Sequence, residues 1–159
     1  MRLFVDTEFN GFGGELMSMA IVSEFGDEWY EVLPLPDVVV PWVKDNVVPV
    51  LNAEPVGAEA FRESFLAFMS RFRNPTIIAD WYTDIVHFFA MFGGKDHNES
   101  VGYACKAELV LIDRYDSLIP HNALHDARAI RDAYRCLHGV IDRDHSEFER
   151  LIGKENSHV

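Results

Sequence analysis

The apolar residues change their period once along this chain, and that change limits the folds open to it more than any other feature. Up to Leu33 they come in short runs, Leu3–Val5, Leu16–Val22 and Trp29–Leu33, with glycines at 11, 13, 14 and 26 between them. Runs of this length bounded by glycine-bearing turns read as three consecutive antiparallel strands. Further on, Phe61, Phe65, Phe68, Met69 and Phe72 recur at i, i+4, i+7, i+8 and i+11, one stripe of an amphipathic helix over 58–72. Asn74-Pro75 breaks that helix, Thr76–Ala79 reads as a short buried strand, and 81–92 as a second helix that Gly93-Gly94 stops. Leu109–Ile112 reads as a fifth strand. Asn122 is placed to cap a last helix, with Leu124, Ala127, Ile130, Tyr134 and Leu137 as its buried stripe and His138-Gly139 at its end. The five prolines from Pro34 to Pro55 predict a loop around the sheet edge, with at most a short helical turn starting at Pro41. The tail beyond Gly153 is expected to fray.

Three strands, then helix, strand, helix, strand, helix predicts an α/β fold: a mixed five-stranded sheet flanked by helices, ribonuclease H-like in its order, with strand one beside strand four. A length of 159 residues and a hydrophobic content of 48 % suit one core, so a single domain is expected over 1–159. No apolar run approaches the roughly 18 residues that span a bilayer, and Asp6 comes too early for a signal peptide, so no membrane association and a cytoplasmic location are expected. Cys105 and Cys136 form no Cys-x-x-Cys pair and read as reduced thiols. A net charge of −12 argues against nucleic-acid binding through a broad basic surface. A polyanionic ligand would have to be held locally, through cations bound to carboxylates.

Such carboxylates are at hand. Asp6 and Glu8, at i and i+2 on the first strand, point to the same side. Asp80 and Asp84 stand at the junction of the fourth strand and its following helix, and Asp126 in the first turn of the last helix, five residues after His121. Carboxylates gathered within about 5 Å repel one another by roughly 3 kcal/mol per pair at an effective dielectric of 20, which bound cations would offset. Oxygen ligands without cysteine or clustered histidine select Mg2+ or Mn2+ over zinc. Two such ions, roughly 3.5–4 Å apart, can hold the attacking and leaving oxygens of a displacement at phosphorus. His121, in a loop, suits a general base that takes a proton from water, imidazole being the side chain that ordinarily changes charge near neutral pH. His121 and His125 also share the i, i+4 spacing of zinc proteases, but Asn122 stands where those helices carry their general-base Glu. The other histidines, His87 among them, read as surface residues. Phe9 and Phe12, in a glycine-rich loop beside the acidic pair, are candidates for stacking on a nucleobase.

Three segments carry a resemblance. Phe4-Val5-Asp6-Thr7-Glu8-Phe9, Ala79-Asp80-Trp81-Tyr82-Thr83-Asp84-Ile85-Val86-His87-Phe88 and His121-Asn122-Ala123-Leu124-His125-Asp126-Ala127 are similar, in order, to the three motifs of the DEDDh 3′-to-5′ exonucleases, the family of ribonuclease T, oligoribonuclease and the proofreading subunit of DNA polymerase III. The resemblance spans residue 4 to about 137 and is nearest to the compact stand-alone exoribonucleases. It implies Asp6, Glu8, Asp84 and Asp126 as ligands of two Mg2+ or Mn2+ ions and His121 as the general base. It implies nucleoside 5′-monophosphate products, and Phe9, Leu16 and Met17 as pocket and wedge around the terminal nucleotide. Many members carry Asn four residues before the middle aspartate and an aromatic immediately before it, where this chain has Asp80 and Thr83. Asp84 is the expected middle ligand by its spacing to Phe88, with Asp80 the alternative. The expected substrate is the 3′ end of single-stranded RNA. A proofreading-type exodeoxyribonuclease and a non-catalytic nucleic-acid-binding module are the alternatives, and dimers common in the family make a homodimer possible.

Overall fold

The computed structural model describes residues 1–93, 101–112 and 116–139, so the expectation for the tail beyond Gly153 lies outside it. Five strands, β1 (Arg2–Phe9), β2 (Leu16–Ser23), β3 (Glu28–Val32), β4 (Thr76–Ala79) and β5 (Lys106–Leu109), form one sheet in the order β3-β2-β1-β4-β5. β1–β2 and β2–β3 pair antiparallel, while β1–β4 and β4–β5 pair parallel, which makes the sheet mixed and puts β4 beside β1 as the element order predicts. Helices α2 (Ala58–Met69) and α3 (Tyr82–Ala90) cover one face and α4 (Ala123–Leu137) the other. Among the described residues no helix is long and apolar enough to cross a membrane.

Cover on both faces explains why β1 and β2 carry unbroken apolar runs rather than an alternating pattern. Successive residues of β1 still go to opposite sides. Leu3 and Val5 join Phe61, Phe65, Phe68, Met69, Ile77 and Phe88 in the larger core. Phe4 turns the other way, onto Ile78, Ile130 and Tyr134. On that second side Ala20 and Val22 of β2 meet Ala123 and Ala127, small residues that let α4 lie close against the strands. The same alternation sends Asp6 and Glu8 towards α4 and Thr7 towards α3. Opposite the two acids, in the β1–β2 register, stand Ala20 and Ser18, whose small side chains leave a hollow.

The proline-rich connection contains a short helix, α1 (Pro41–Asn46), and a 3-10 turn at Val48–Val50. Val43, Val47 and Leu51 seal this segment onto Met17 and Val32 at the β2–β3 side of the sheet. Three details depart from the expectations. The fifth strand lies at Lys106–Leu109 rather than Leu109–Ile112, because its place is set by pairing with β4, Thr76 opposite Lys106 through Ala79 opposite Leu109. Val110 and Ile112 pack instead beside Phe4 and Ile130. Leu137, expected on the buried stripe of α4, is 64 % exposed, and the buried residues of that last stretch are Ala133 and Tyr134.

Candidate active site

The ends of β1 and β4 and the starts of α3 and α4 meet at one edge of the sheet, around a cleft of about 520 Å3. Asp6, Glu8, Asp80, Asp84, His121 and Asp126 all line it. One carboxylate oxygen from each of Asp6, Glu8 and Asp126 lies within 4.8 Å of the others, and the same holds for Asp6, Asp80 and Asp84. Two three-acid groups therefore share a single residue, Asp6. The choice between Asp80 and Asp84 dissolves in this geometry, since the strand end and the first helical turn bring both to Asp6.

Asp6, Asp84 and Asp126 are buried and Glu8 is half-buried. Burial, and then the neighbouring Asp84, Glu8, Asp126 and Asp80, push the Asp6 carboxyl well above the usual range. Burial together with Asp126 and Asp84 raises Glu8 to about 8. Asp84 rises to about 7, first through burial and then through Asp80, against the opposing pull of its hydrogen bonds. Asp126 is raised by burial, with the backbone N–H of His121 among the groups that hold it down. Thr7, on the opposite side of β1 from the acids, donates to Asp84 Oδ1 from its backbone N–H at 3.1 Å and from its hydroxyl at 2.6 Å. Asp84 Oδ2 and Asp6 Oδ2 are buried without a hydrogen-bond partner among the described residues. Buried polar oxygens are ordinarily paired. An all-oxygen set of crowded acids with two orphaned, inward-facing oxygens fits a hard divalent cation such as Mg2+ or Mn2+, and fits an empty acidic pocket poorly.

His121 takes the left-handed conformation, φ +65°, which costs a non-glycine residue on the order of 1 kcal/mol. Its N–H donates to Asp126 Oδ2 at 3.0 Å and its ring meets Trp42 of α1 edge to face, with centroids 5.0 Å apart. Asn122, which is buried, holds the turn in place. Its Oδ1 accepts from His125 N at 3.2 Å as the cap of α4, and its Nδ2 donates to the Val50 carbonyl at 2.6 Å. His125 does not line the cleft.

Phe9 does line the cleft, turned by a bulge between Glu8 and Phe9. Leu16 and Met17 do not. Met17 is wholly buried against Val32, Val43 and Val47, and Leu16 packs on the larger core, so the expected wedge role is corrected: α1 covers Met17, and its neighbour Leu16 packs on a different cluster. The exposed apolar surface comes instead from Phe12, Trp42 and Trp81. Phe12 sits on a tight loop that only glycine allows at position 14, where a Cβ would come 2.0 Å from the Asn10 carbonyl oxygen. The reading of His87 as a surface residue is also corrected. It is half-buried beside the Phe9 ring, 5.6 Å between centroids, because it lies one turn after Asp84 on the same side of α3. Trp42 lay in no motif and Trp81 within the second of the three segments without a role of its own; adjacency to a proline or an aspartate in sequence says nothing about a cleft that four separate segments build. No protein-family model and no curated protein matches the chain.

Proposed function

We propose that this protein is a divalent-metal-dependent phosphodiester hydrolase of ribonuclease H-like fold that removes nucleoside 5′-monophosphates from the 3′ ends of single-stranded nucleic acid, RNA in preference to DNA. The observation that carries the proposal is the pair of three-carboxylate groups joined through Asp6, with His121 on the rim of the same cleft. Asp6, Glu8 and Asp126 would hold one Mg2+ or Mn2+ ion and Asp6, Asp80 and Asp84 a second. Bound there, the ions supply neutralising charge for the substrate phosphate and for the oxygens that enter and leave at phosphorus.

The chain's own groups do the rest. His121 accepts the proton of the attacking water, and the bond from its N–H to Asp126 ties the base to the acid whose position defines the first group. Trp42 stands against the imidazole and limits its swing. Thr7 fixes Asp84 Oδ1, which leaves Oδ2 turned inward. The similarity of the three motifs to those of the DEDDh exonucleases supports the 3′-to-5′ direction and the preference for RNA.

The test is incubation of the purified protein with 5′-end-labelled RNA and DNA oligomers, with magnesium, with manganese and with EDTA. A ladder shortening from the 3′ end of RNA, abolished by EDTA and by Asp6→Asn, is the expected result. Internal cuts, or activity that survives EDTA, would refute the proposal.

A further inference from the structure

Tyr30 stands in β3, far in sequence from most of the cleft's acids, yet the sheet puts it in their row: Asp6 pairs with Ala20, and Ala20 with Tyr30. Its half-buried ring lies at a junction. On one side it packs on the cluster of Val43, Val47 and Leu51 that fastens α1 and the 3-10 turn to the sheet. On the other it packs on the cluster of Ala123 and Ala127 that fastens α4. Among the described residues no other side chain packs on both. The polar end of Tyr30 closes the same junction. Its hydroxyl donates to the Leu51 carbonyl at 2.6 Å, and Asn122 Nδ2 donates to that carbonyl at 3.3 Å and lies 3.5 Å from the Tyr30 oxygen. Burial, with the Glu8 and Asp6 charges adding to it, raises the phenol to about 12, so it stays a donor at neutral pH.

Two routes run from this junction to His121. One follows the backbone: Asn122 comes directly after His121, whose left-handed φ of +65° persists only where its surroundings over-determine it. The other reaches the ring: Trp42, its centroid 5.0 Å from that of the imidazole, belongs to the 41–51 segment whose far end Tyr30 holds at Leu51. Tyr30 itself does not line the cleft. A general base acts only within hydrogen-bond reach of the proton it takes, and a misplacement of about 1 Å can cost about a hundredfold in rate. We propose that Tyr30 is a positioning residue: its hydroxyl clamps the 41–51 segment to the start of α4 and so fixes where the His121 imidazole stands beside the acids. This rests on the hydrolase proposed above and adds to it a residue that acts only through the base.

The experiment is Tyr30→Phe, alone and combined with His121→Ala. The phenyl ring keeps the packing on both clusters, and only the hydroxyl is lost. On the RNA oligomer with saturating manganese, kcat should fall about 10- to 100-fold, while KM and the manganese-induced rise in Tm keep their wild-type values. In the His121→Ala background the same substitution should change kcat less than about twofold, since the group it positions is gone. Ser64→Ala, which breaks the bond from Trp29 Nε1 on the opposite face of the sheet, is the control for general loosening and should leave kcat unchanged. A second readout needs no activity. Trp42 meets the imidazole edge to face, so its ring current displaces the His121 ring resonance, which is identified by its absence in His121→Ala. In alkaline buffer, with imidazoles neutral, Tyr30→Phe should carry that resonance towards its position in Trp42→Leu. Either a wild-type kcat in Tyr30→Phe or an unmoved resonance overturns the inference and leaves the hydrolase standing. An equal loss of kcat with His121 present or absent does the same, because the hydroxyl would then act by some path other than the base. Absence of metal-dependent cleavage by the wild type refutes the hydrolase and, with it, the role given to Tyr30.

Discussion

Crowded acids make the metal-free protein's stability fall as pH rises, the reverse of the usual effect of salt-bridged carboxylates. Glu8 serves as the worked case. Its carboxyl is raised to about 8 in the folded chain from 4.5, so between these values the folded state keeps a proton that the unfolded state has lost. Stability present below about pH 4.5 is therefore given up progressively as pH climbs towards about 8. The difference between the two values corresponds to about 5 kcal/mol, and entry of water into the open cleft takes up part of it, leaving on the order of 3 kcal/mol. A second route leads to a similar size: two charges 4.8 Å apart at an effective dielectric of 20 repel by about 3 kcal/mol. In a protein of this length that is a fall in Tm of about 6–12 °C. The perturbation is Glu8→Gln, which removes this one charge at every pH and leaves the other acids in place. The assay is thermal and urea unfolding of both proteins in EDTA from about pH 4.5 to pH 8, repeated with manganese. The two curves should meet at the acid end, and the variant should be the more stable by about 3 kcal/mol at the alkaline end. Manganese at a hundredfold excess over its Kd should raise the wild type by about 2.7 kcal/mol and the variant by much less. A wild type whose stability in EDTA holds level or rises against Glu8→Gln over this range would show that the acids are neither buried nor crowded as described, and the metal site would go with them.

Three further outcomes are expected. His121→Ala should lower kcat by about 10²- to 10⁴-fold while the manganese-induced rise in Tm persists, because the imidazole moves a proton and holds no ion; loss of the Tm response would make His121 a ligand instead. Asn122→Ala removes the α4 cap and leaves the part-buried carbonyl of Val50 without its donor. It should cost about 2–4 kcal/mol in urea unfolding, and a loss under about 1 kcal/mol would show that the turn at His121 is held elsewhere. Thr7→Val keeps the shape of the side chain but withdraws the 2.6 Å hydroxyl bond from Asp84. At about pH 8 it should destabilise by about 1.5–3 kcal/mol and weaken manganese binding, with the effect shrinking in acid as Asp84, raised to about 7, takes up its proton; an equal cost at both ends of the pH range would refute the charged bond.

What the amino-acid order determined by itself was everything that depends on local period and chain succession. The two-residue period of β1 put Asp6 and Glu8 on one side, the 3.6-residue period put Phe61, Phe65, Phe68 and Met69 into one core, and the succession of elements put β4 beside β1. Asn122 was legible as a cap, and His121 and Asp126 as neighbours across the first turn of α4. Tertiary structure alone decided the rest, because those features are set by partners distant in sequence. β5 lies three residues earlier than its apolar run because an edge strand is placed by the register of its neighbour, and both of its flanks remain exposed. Met17 went inward because α1 covers its side of the sheet, while Asp80 and Asp84 both reached Asp6 because a strand end and a helical turn converge there. Trp42, Trp81 and Phe12 became one mouth only when four separate segments met. A local pattern states which way a side chain points; what it points at is a property of long-range packing, and a site assembled at the meeting of strand ends and helix starts is made of the latter.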